Sequence, residues 1–361
     1  METDVCIVGA GAAGITLARE LNGSPVRVTV LESGGFEYEA ETQDLYDGRP
    51  IGLPYSDLDV PRLRFFGGTT NHWGGICRPF DAADFEPREG IRFTGWPIGK
   101  EDVDPFYPRA AQVVRLPSQE WGLEQWAASG EFAPLSLRSD RIVSRAAQVV
   151  AADRRSFAEG YREELRQAPN VTVYLHANVT AFEADEGGRT ATSVRVQTLA
   201  GNRFSVGAKL FVLATGAIEN ARLLLVSNER QPDGLGNQNG LVGRFFLEHP
   251  RFLAGFIAPF EPHPNLGFYA DHRVDGAPVT GYLASSKEFQ LAEGLLDLQI
   301  RLELGYGDAP DDASDFARYV MTLAGDLDSW QEIAIPGPPV STSTRTEGSE
   351  ATNRSTTDSS A

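Results

Sequence analysis

The sequence predicts an α/β fold: a doubly wound, three-layer domain on a parallel sheet, followed by an incomplete α+β domain. Three observations carry that prediction. The chain opens with an apolar strand, Val5-Cys6-Ile7-Val8, that breaks into Gly9-Ala10-Gly11-Ala12-Ala13-Gly14 and runs into the helical pattern Ile15-Thr16-Leu17-Ala18-Arg19-Glu20-Leu21. A second strand, Val26-Arg27-Val28-Thr29-Val30-Leu31, ends in Glu32, 18 residues beyond Gly14. Far downstream, Lys209–Ala214 repeats the arrangement and breaks into Thr215-Gly216-Ala217 before the helix Ile218–Leu225.

The first junction has the chemistry of a dinucleotide pyrophosphate site. Gly9 permits the sharp turn, Gly11 lets backbone N–H groups approach phosphate without a Cβ in the way, and Gly14 lets the helix lie close on the strand. The helix N-terminus offers unpaired donors and partial positive charge. Glu32 suits the hydroxyls of an adenosine ribose and repels a 2′-phosphate. A glycine turn without a ligand is the plain alternative, but the flanking strands, the helix and the acid fall where the mechanism needs them.

Residues 36–61 are turn-rich and read as a surface excursion. A second glycine cluster follows, Phe65-Phe66-Gly67-Gly68-Thr69-Thr70-Asn71-His72-Trp73-Gly74-Gly75. A second excursion, 76–150, contains a helix near 100–116, and another helix is expected over 153–168 with Arg154, Arg155, Glu163, Glu164 and Arg166 on its exposed face. Strands are expected at 171–175 and 179–182, and Asp185-Glu186-Gly187-Gly188 signals a hairpin to 193–198. The run 209–214 is continuous enough for a buried parallel strand. Residues 251–335 begin a second domain. In 336–361, 12 of the 21 residues from Ser341 on are Ser or Thr, with no Val, Ile, Leu, Met or aromatic side chain to bury, so disorder is expected.

The length of 361 residues suits about two domains. A net charge of −18 argues against nucleic acid or an anionic membrane as partner. No apolar run reaches the length of a membrane span. The first strand begins at once, leaving no room for a signal peptide, and the expected location is cytoplasmic. Two cysteines, Cys6 and Cys77, make no disulfide framework and read as small core residues. No metal is assigned. His176, His263 and His272 lie in polar, turn-like surroundings and read as surface histidines.

The first motif alone leaves FAD and NAD open. The wandering chain after Glu32-Ser33-Gly34-Gly35, the aromatic and imidazole of the second cluster, and the strand end at Ala214 favour FAD. In these segments, with Gly243-Arg244-Phe245-Phe246-Leu247-Glu248-His249-Pro250, the chain resembles the glucose–methanol–choline (GMC) oxidoreductases, bacterial or archaeal type. The resemblance spans residues 4 to 250 and implies a Rossmann-like FAD-binding domain over 1–250, interrupted by the two excursions, with a partial substrate domain over 251–335. It implies that the backbone of Gly9, Ala10, Gly11, Ala12, Ala13 and Gly14 binds the pyrophosphate, that Glu32 holds the ribose, and that Ser33 also lies at the cofactor. Gly67, Gly68, Thr69, Asn71, His72, Trp73 and Gly74 would run toward the flavin ring, which in some relatives is bonded to a histidine like His72. Val179, Ala214, Thr215 and Gly216 would flank the cofactor, and His249 resembles an acid–His segment near the flavin.

The implied activity is hydride transfer from an alcohol or sugar CH–OH to flavin, with an unspecified electron acceptor. The family's base is a histidine near the C-terminus. No histidine follows His272, so no catalytic residue is assigned and a C-terminally truncated chain is expected. Two alternatives stand beside this reading: a non-catalytic FAD-binding remnant or subunit completed by another polypeptide, and an NAD-dependent dehydrogenase.

Overall fold

The computed structural model describes residues 1–52, 55–128, 131–249 and 266–302. All of these fall in one contact unit, Met1–Gly255 with Pro259–Glu303. Pro250, His263, much of the 251–335 region and the Ser/Thr-rich stretch 336–361 lie outside the described residues.

The chain forms β1 (Glu2–Val8), α1 (Ala12–Glu20), β2 (Val28–Leu31), a one-turn α2 (Ala40–Gln43), and β3 (Ile76–Cys77). Next come α3 (Lys100–Val103), α4 (Tyr107–Val113), α5 (Leu123–Ala128), β4 (Ile142–Val149), α6 (Phe157–Arg166), β5 (Val171–Tyr174), β6 (Asn178–Ala184), β7 (Ala191–Gln197) and β8 (Arg203–Leu213). The remainder is α7 (Ala217–Val226), β9 (His272–Val274), β10 (Ala277–Ser285), α8 (Lys287–Glu293) and β11 (Gln299–Ile300).

Six strands make the first sheet, in the order β5-β2-β1-β8-β7-β6. The first four are parallel, with Val5 opposite both Val28 and Leu210, whereas β8-β7 and β7-β6 are antiparallel. Strand alternation sorts the side chains into two cores. Val5, Ile7, Val28 and Val30 face Ile15 and Ala18 of α1 and Phe157, Tyr161 and Leu165 of α6. Cys6, Val8 and Leu31 face the other way, onto Val179, Phe182, Val194, Val196 and Val206. Helices α1 and α6 thus cover one face of the sheet, and on the other face the second core takes in Leu223 of α7 with the side chains of β6 and β7. Burial pushes the Cys6 thiol up to about 12 and the Cys77 thiol up to about 11, so neither is a thiolate near neutrality.

Four expectations need correction. The run 209–214 is the second half of the longer β8, and Leu210 is 56% exposed; the helical layer packs over Val212 and Ala214 without reaching it. The helix expected from 153 starts at Phe157, because Ser156 caps it and Ala152–Arg154 form a separate 3₁₀ turn. Arg155 therefore leaves the helix face and donates to the Val150 carbonyl at 2.9 Å. His272 is half-buried, with its ring 5.7 Å from that of Phe132 and 5.6 Å from that of Phe268.

A second sheet runs β11-β10-β4-β3, with β9 also on β10. It draws β3 and β4 from the 76–150 excursion and β9–β11 from the 266–302 segment, with Val143–Gln148 of β4 antiparallel to Val279–Ala284 of β10. Trp126 of α5 joins Phe268, Tyr269 and Val279 in the core on one face.

Candidate functional site

The candidate site forms at the C-terminal ends of β1, β2 and β8, where open α/β sheets present their ligand crevice. Gly9 has φ +99°, and a Cβ there would stand 2.7 Å from the Ala214 carbonyl oxygen. At Gly14 a Cβ would stand 1.9 Å from the Gly9 oxygen, so the helix lies as close to the turn as backbone allows. Gly11 differs: φ is an ordinary −85°, and no atom of the described residues lies within 4 Å of its missing Cβ. Gly11 is the N-cap of α1, no side chain among the described residues caps it, and Ala12 and Ala13 are exposed. The first-turn N–H groups thus face open space, a cradle that fits a phosphate.

Glu32 is 5% exposed and closes the back of the turn. Its Oε2 accepts from the Ala10 N–H at 2.8 Å and its Oε1 from the Gly34 N–H at 2.9 Å. Burial pushes its carboxyl above the usual range, opposed by those N–H groups and by the Arg64 guanidinium.

The second glycine cluster docks on the first. The Gly67 N–H donates to the Ala10 carbonyl at 2.8 Å, the Phe66 N–H to Gly35 at 3.0 Å, and a Cβ on Gly68 would stand 3.1 Å from the Gly11 Cα. Gly67 (φ +93°) and Gly68 (φ +54°) make a bend closed to most side-chain-bearing residues. A polar lock ties this bend to α6. Thr70 Oγ1 donates to Gly67 at 2.6 Å and accepts from the Phe157 N–H at 3.1 Å. Asn71 Nδ2 donates to Phe66 at 3.0 Å, while its Oδ1 accepts from the Ser156 hydroxyl at 2.6 Å. Ser156 in turn accepts from the Glu159 N–H at 3.1 Å. Both ends of the Asn71 amide therefore shape the loop. Thr69, His72 and Gly74 are exposed, and Trp73 is anchored by its Nε1, 3.1 Å from the Arg155 carbonyl.

Removing the Ser156 hydroxyl takes away the α6 cap and the Asn71 bond together. Ser156→Ala is expected to cost about 1–3 kcal/mol, combining a lost cap and a lost half-buried hydrogen bond. Urea unfolding of wild type and variant measures it; a loss under about 0.5 kcal/mol would refute the lock.

At the third strand end, Ala214 N–H donates to Val8 at 2.8 Å. The Thr215 N–H and hydroxyl both donate to Asn220 Oδ1, at 3.0 and 2.7 Å, and Gly216 (φ +86°) caps α7. Ser33 Oγ donates to Asn178 Oδ1 and accepts from Arg64 Nε at 2.7 Å. Beside them opens a cleft of about 600 Å³ whose lining includes Ser33, Thr42, His176 and Asn178. Val179 is buried next along β6, the outer strand of the sheet, and pairs with Val196. His249 stands apart, its side chain 95% exposed and its partner Glu248 bonded to Tyr55 at 3.0 Å.

Sequence reading missed a charged cluster behind the site. Glu219, in the first turn of α7 and 5% exposed, meets Arg62 and Arg64 at 3.4 Å each and Arg222 at 2.8 Å. The Arg62 and Arg64 guanidiniums lie 4.0 and 4.7 Å from the Tyr46 ring centroid.

The model of the family described as FAD dependent oxidoreductase matches residues 4–233, from β1 past α7. The chain belongs to the FAD-dependent oxidoreductases. The family match sets aside the NAD-dependent alternative and accords with the GMC resemblance. This oxidoreductase is 28% identical to 2-methyl-1,2-propanediol dehydrogenase of Mycolicibacterium austroafricanum, over 71% of this chain and 57% of the relative. It is 25% identical to 6'''-hydroxyparomomycin C oxidase of Streptomyces lividus, over 85% of this chain and 68% of that one. The solved pyridoxine 4-oxidase from Mesorbium loti aligns with 62% of this chain and 51% of its own at 22% identity and a TM-score of 0.41. The match thus spans little more than half of the first relative's length. No helix among the described residues is long and apolar enough to cross a membrane.

Proposed function

We propose that this flavoprotein oxidises a CH–OH group of a small alcohol or sugar, with FAD held across the three strand ends. The observation that carries the reading is the open Gly11 cradle at the uncapped start of α1, with the buried carboxylate of Glu32 beside it. The relatives lend the substrate class: one is named for 2-methyl-1,2-propanediol and another for 6'''-hydroxyparomomycin C. When bound, FAD supplies the two-electron acceptor for a hydride leaving the substrate carbon.

The chain's own residues bind and orient. The backbone N–H groups of Gly11, Ala12 and Ala13 are placed to hold the pyrophosphate, with Gly9, Ala10 and Gly14 setting the turn. Glu32 uses one lone pair of each oxygen on the backbone and has others left for ribose hydroxyls. Ser33 and Val179 flank the adenosine side. Gly67, Gly68 and Thr69 continue the channel toward His72, Trp73 and Gly74 at the flavin side, and Asn71 keeps that bend rigid. Ala214, Thr215 and Gly216 form the wall opposite. In this reading the FAD domain runs over 1–250 without its two excursions, and the second sheet, which takes β3 and β4 from the 76–150 excursion, begins the substrate domain.

The test is the visible absorption of the purified chain, incubated with FAD and then precipitated with acid. Flavin bands are expected on the protein and in the acid supernatant. Bands kept in the pellet would assign a covalent bond, which His72→Ala should abolish. A protein that takes up no flavin would overturn the proposal.

A further inference from the structure

The strongest unexplained feature is the placing of Arg64. It comes from the loop before the second glycine cluster, yet it reaches three other segments at once. Its Nε donates to the Ser33 hydroxyl at 2.7 Å, its Nη1 pairs with Glu219 at 3.4 Å, and its plane lies 4.7 Å from the Tyr46 centroid. Its side chain is only 10% exposed. Ser33 passes the contact on to Asn178, and Ser33 adjoins Glu32. Three guanidiniums, those of Arg62, Arg64 and Arg222, share the single carboxylate of Glu219. The cluster therefore carries surplus positive charge directly behind a buried acid.

We propose that Arg64 is a positioning residue for the adenosine end of the cofactor: it fixes the Ser33 hydroxyl, and through it the backbone that presents the neighbouring Glu32 carboxylate to the ribose. This rests on the reading of Glu32 as the ribose acceptor. An ionised carboxylate accepts from both ribose hydroxyls, while a protonated one has a donor where an acceptor is needed. The backbone N–H groups of Ala10 and Gly34 orient the carboxylate but carry no net charge; Arg64 supplies the cation. Among the described residues, the other charged or titratable groups around this corner are Arg62, Arg222, Tyr46 and Glu219 in the cluster and the His176–Glu39 pair beyond β5.

The sign of the pH effect follows. Burial raises the Glu32 carboxyl and Arg64 opposes the rise, so losing Arg64 lets it rise further. FAD affinity is lost as pH falls through that value. In a variant without the cation, the loss must begin at a higher pH.

The experiment titrates the apoprotein of this chain with FAD by flavin fluorescence across the pH range, for wild type, Arg64→Met and Arg64→Lys, with apoprotein melting recorded beside it. Arg64→Met is expected to weaken binding about ten- to a hundredfold, the worth of a charge-assisted hydrogen bond, and to move the pH midpoint upward. Arg64→Lys keeps the charge and loses the fork, so its midpoint is expected at the wild-type value with affinity about tenfold down. Wild-type affinity and midpoint in Arg64→Met would overturn the inference alone. Should Arg64→Met fail to fold, an unchanged affinity in Arg64→Lys would do the same. A wild-type chain that binds no FAD at any pH would overturn the cofactor-site reading and this inference with it.

Discussion

Gly11→Ala and Gly14→Ala are expected to fail in opposite ways. Gly14→Ala should unfold the domain readily, losing at least about 3 kcal/mol of stability. The added Cβ would stand 1.9 Å from the Gly9 oxygen and 3.0 Å from its carbon, and both are backbone atoms that cannot rotate aside. The Ile7 side chain at 3.3 Å closes the remaining escape. A glycine-to-alanine change inside a helix ordinarily gains about 1 kcal/mol, and here the clash reverses the sign. Relief requires α1 to lift from β1, exposing Ile15 and Ala18, which are both fully buried. Gly11→Ala meets no atom and no strained φ, so its apoprotein should melt within about 1 kcal/mol of wild type, the scale of an N-cap preference. Its FAD affinity should nevertheless fall at least about tenfold, because the methyl occupies the space a phosphate needs. Melting of the apoproteins and flavin titration separate the two effects. A stable Gly14→Ala protein, or wild-type FAD affinity in Gly11→Ala, would refute the turn's assigned geometry or its assigned ligand respectively.

What the sequence made legible was local. The strand–turn–helix at the start is written in consecutive residues, and the acid at Glu32 comes one short strand later, so both could be read without knowing the fold. The hairpin at Asp185–Gly188 was equally open, and the structure closes it with Asp185 N–H on Thr190 at 2.9 Å. The extent of β8 was hidden because its first half, Arg203-Phe204-Ser205-Val206, alternates polar and apolar and earns its place by pairing with β7. Strand β4 was hidden more completely. Its centre, Ser144-Arg145-Ala146-Ala147-Gln148, lacks a β-rich signature, and its partner β10 lies far downstream. The charged cluster was the least legible part. Arg62 and Arg64 sit in a loop and Glu219 on a helix, where charges usually read as solvated, and only the tertiary fold brings them together.

That cluster carries the other large expected effect. Glu219→Ala should cost about 3–5 kcal/mol, because removing one partner of a buried pair strands the remaining charge. The carboxylate is 6% exposed, and the Arg62 and Arg64 side chains it serves are 16% and 10% exposed. Neither arginine can shed its proton, so both must either stay buried without a counter-charge or draw water into the site. Tyr46, stacked on both, recovers only part of that energy. Glu219→Gln keeps an acceptor oxygen and its loss should be smaller, which distinguishes charge from shape. Salt offers a second discriminator. Exposed pairs such as Glu163–Arg166 on α6, with side chains 61% and 68% exposed, are screened in high salt, so Glu163→Ala should leave the unfolding midpoint where it was. The Glu219 penalty should persist between about 0.1 and 1 M salt, since screening reaches a buried pair weakly. Urea unfolding at both salt levels measures each quantity. A Glu219→Ala loss below about 1 kcal/mol, or one erased by salt, would mean that water already fills the cluster and that Arg62 and Arg64 are held by their carbonyl and hydroxyl partners instead.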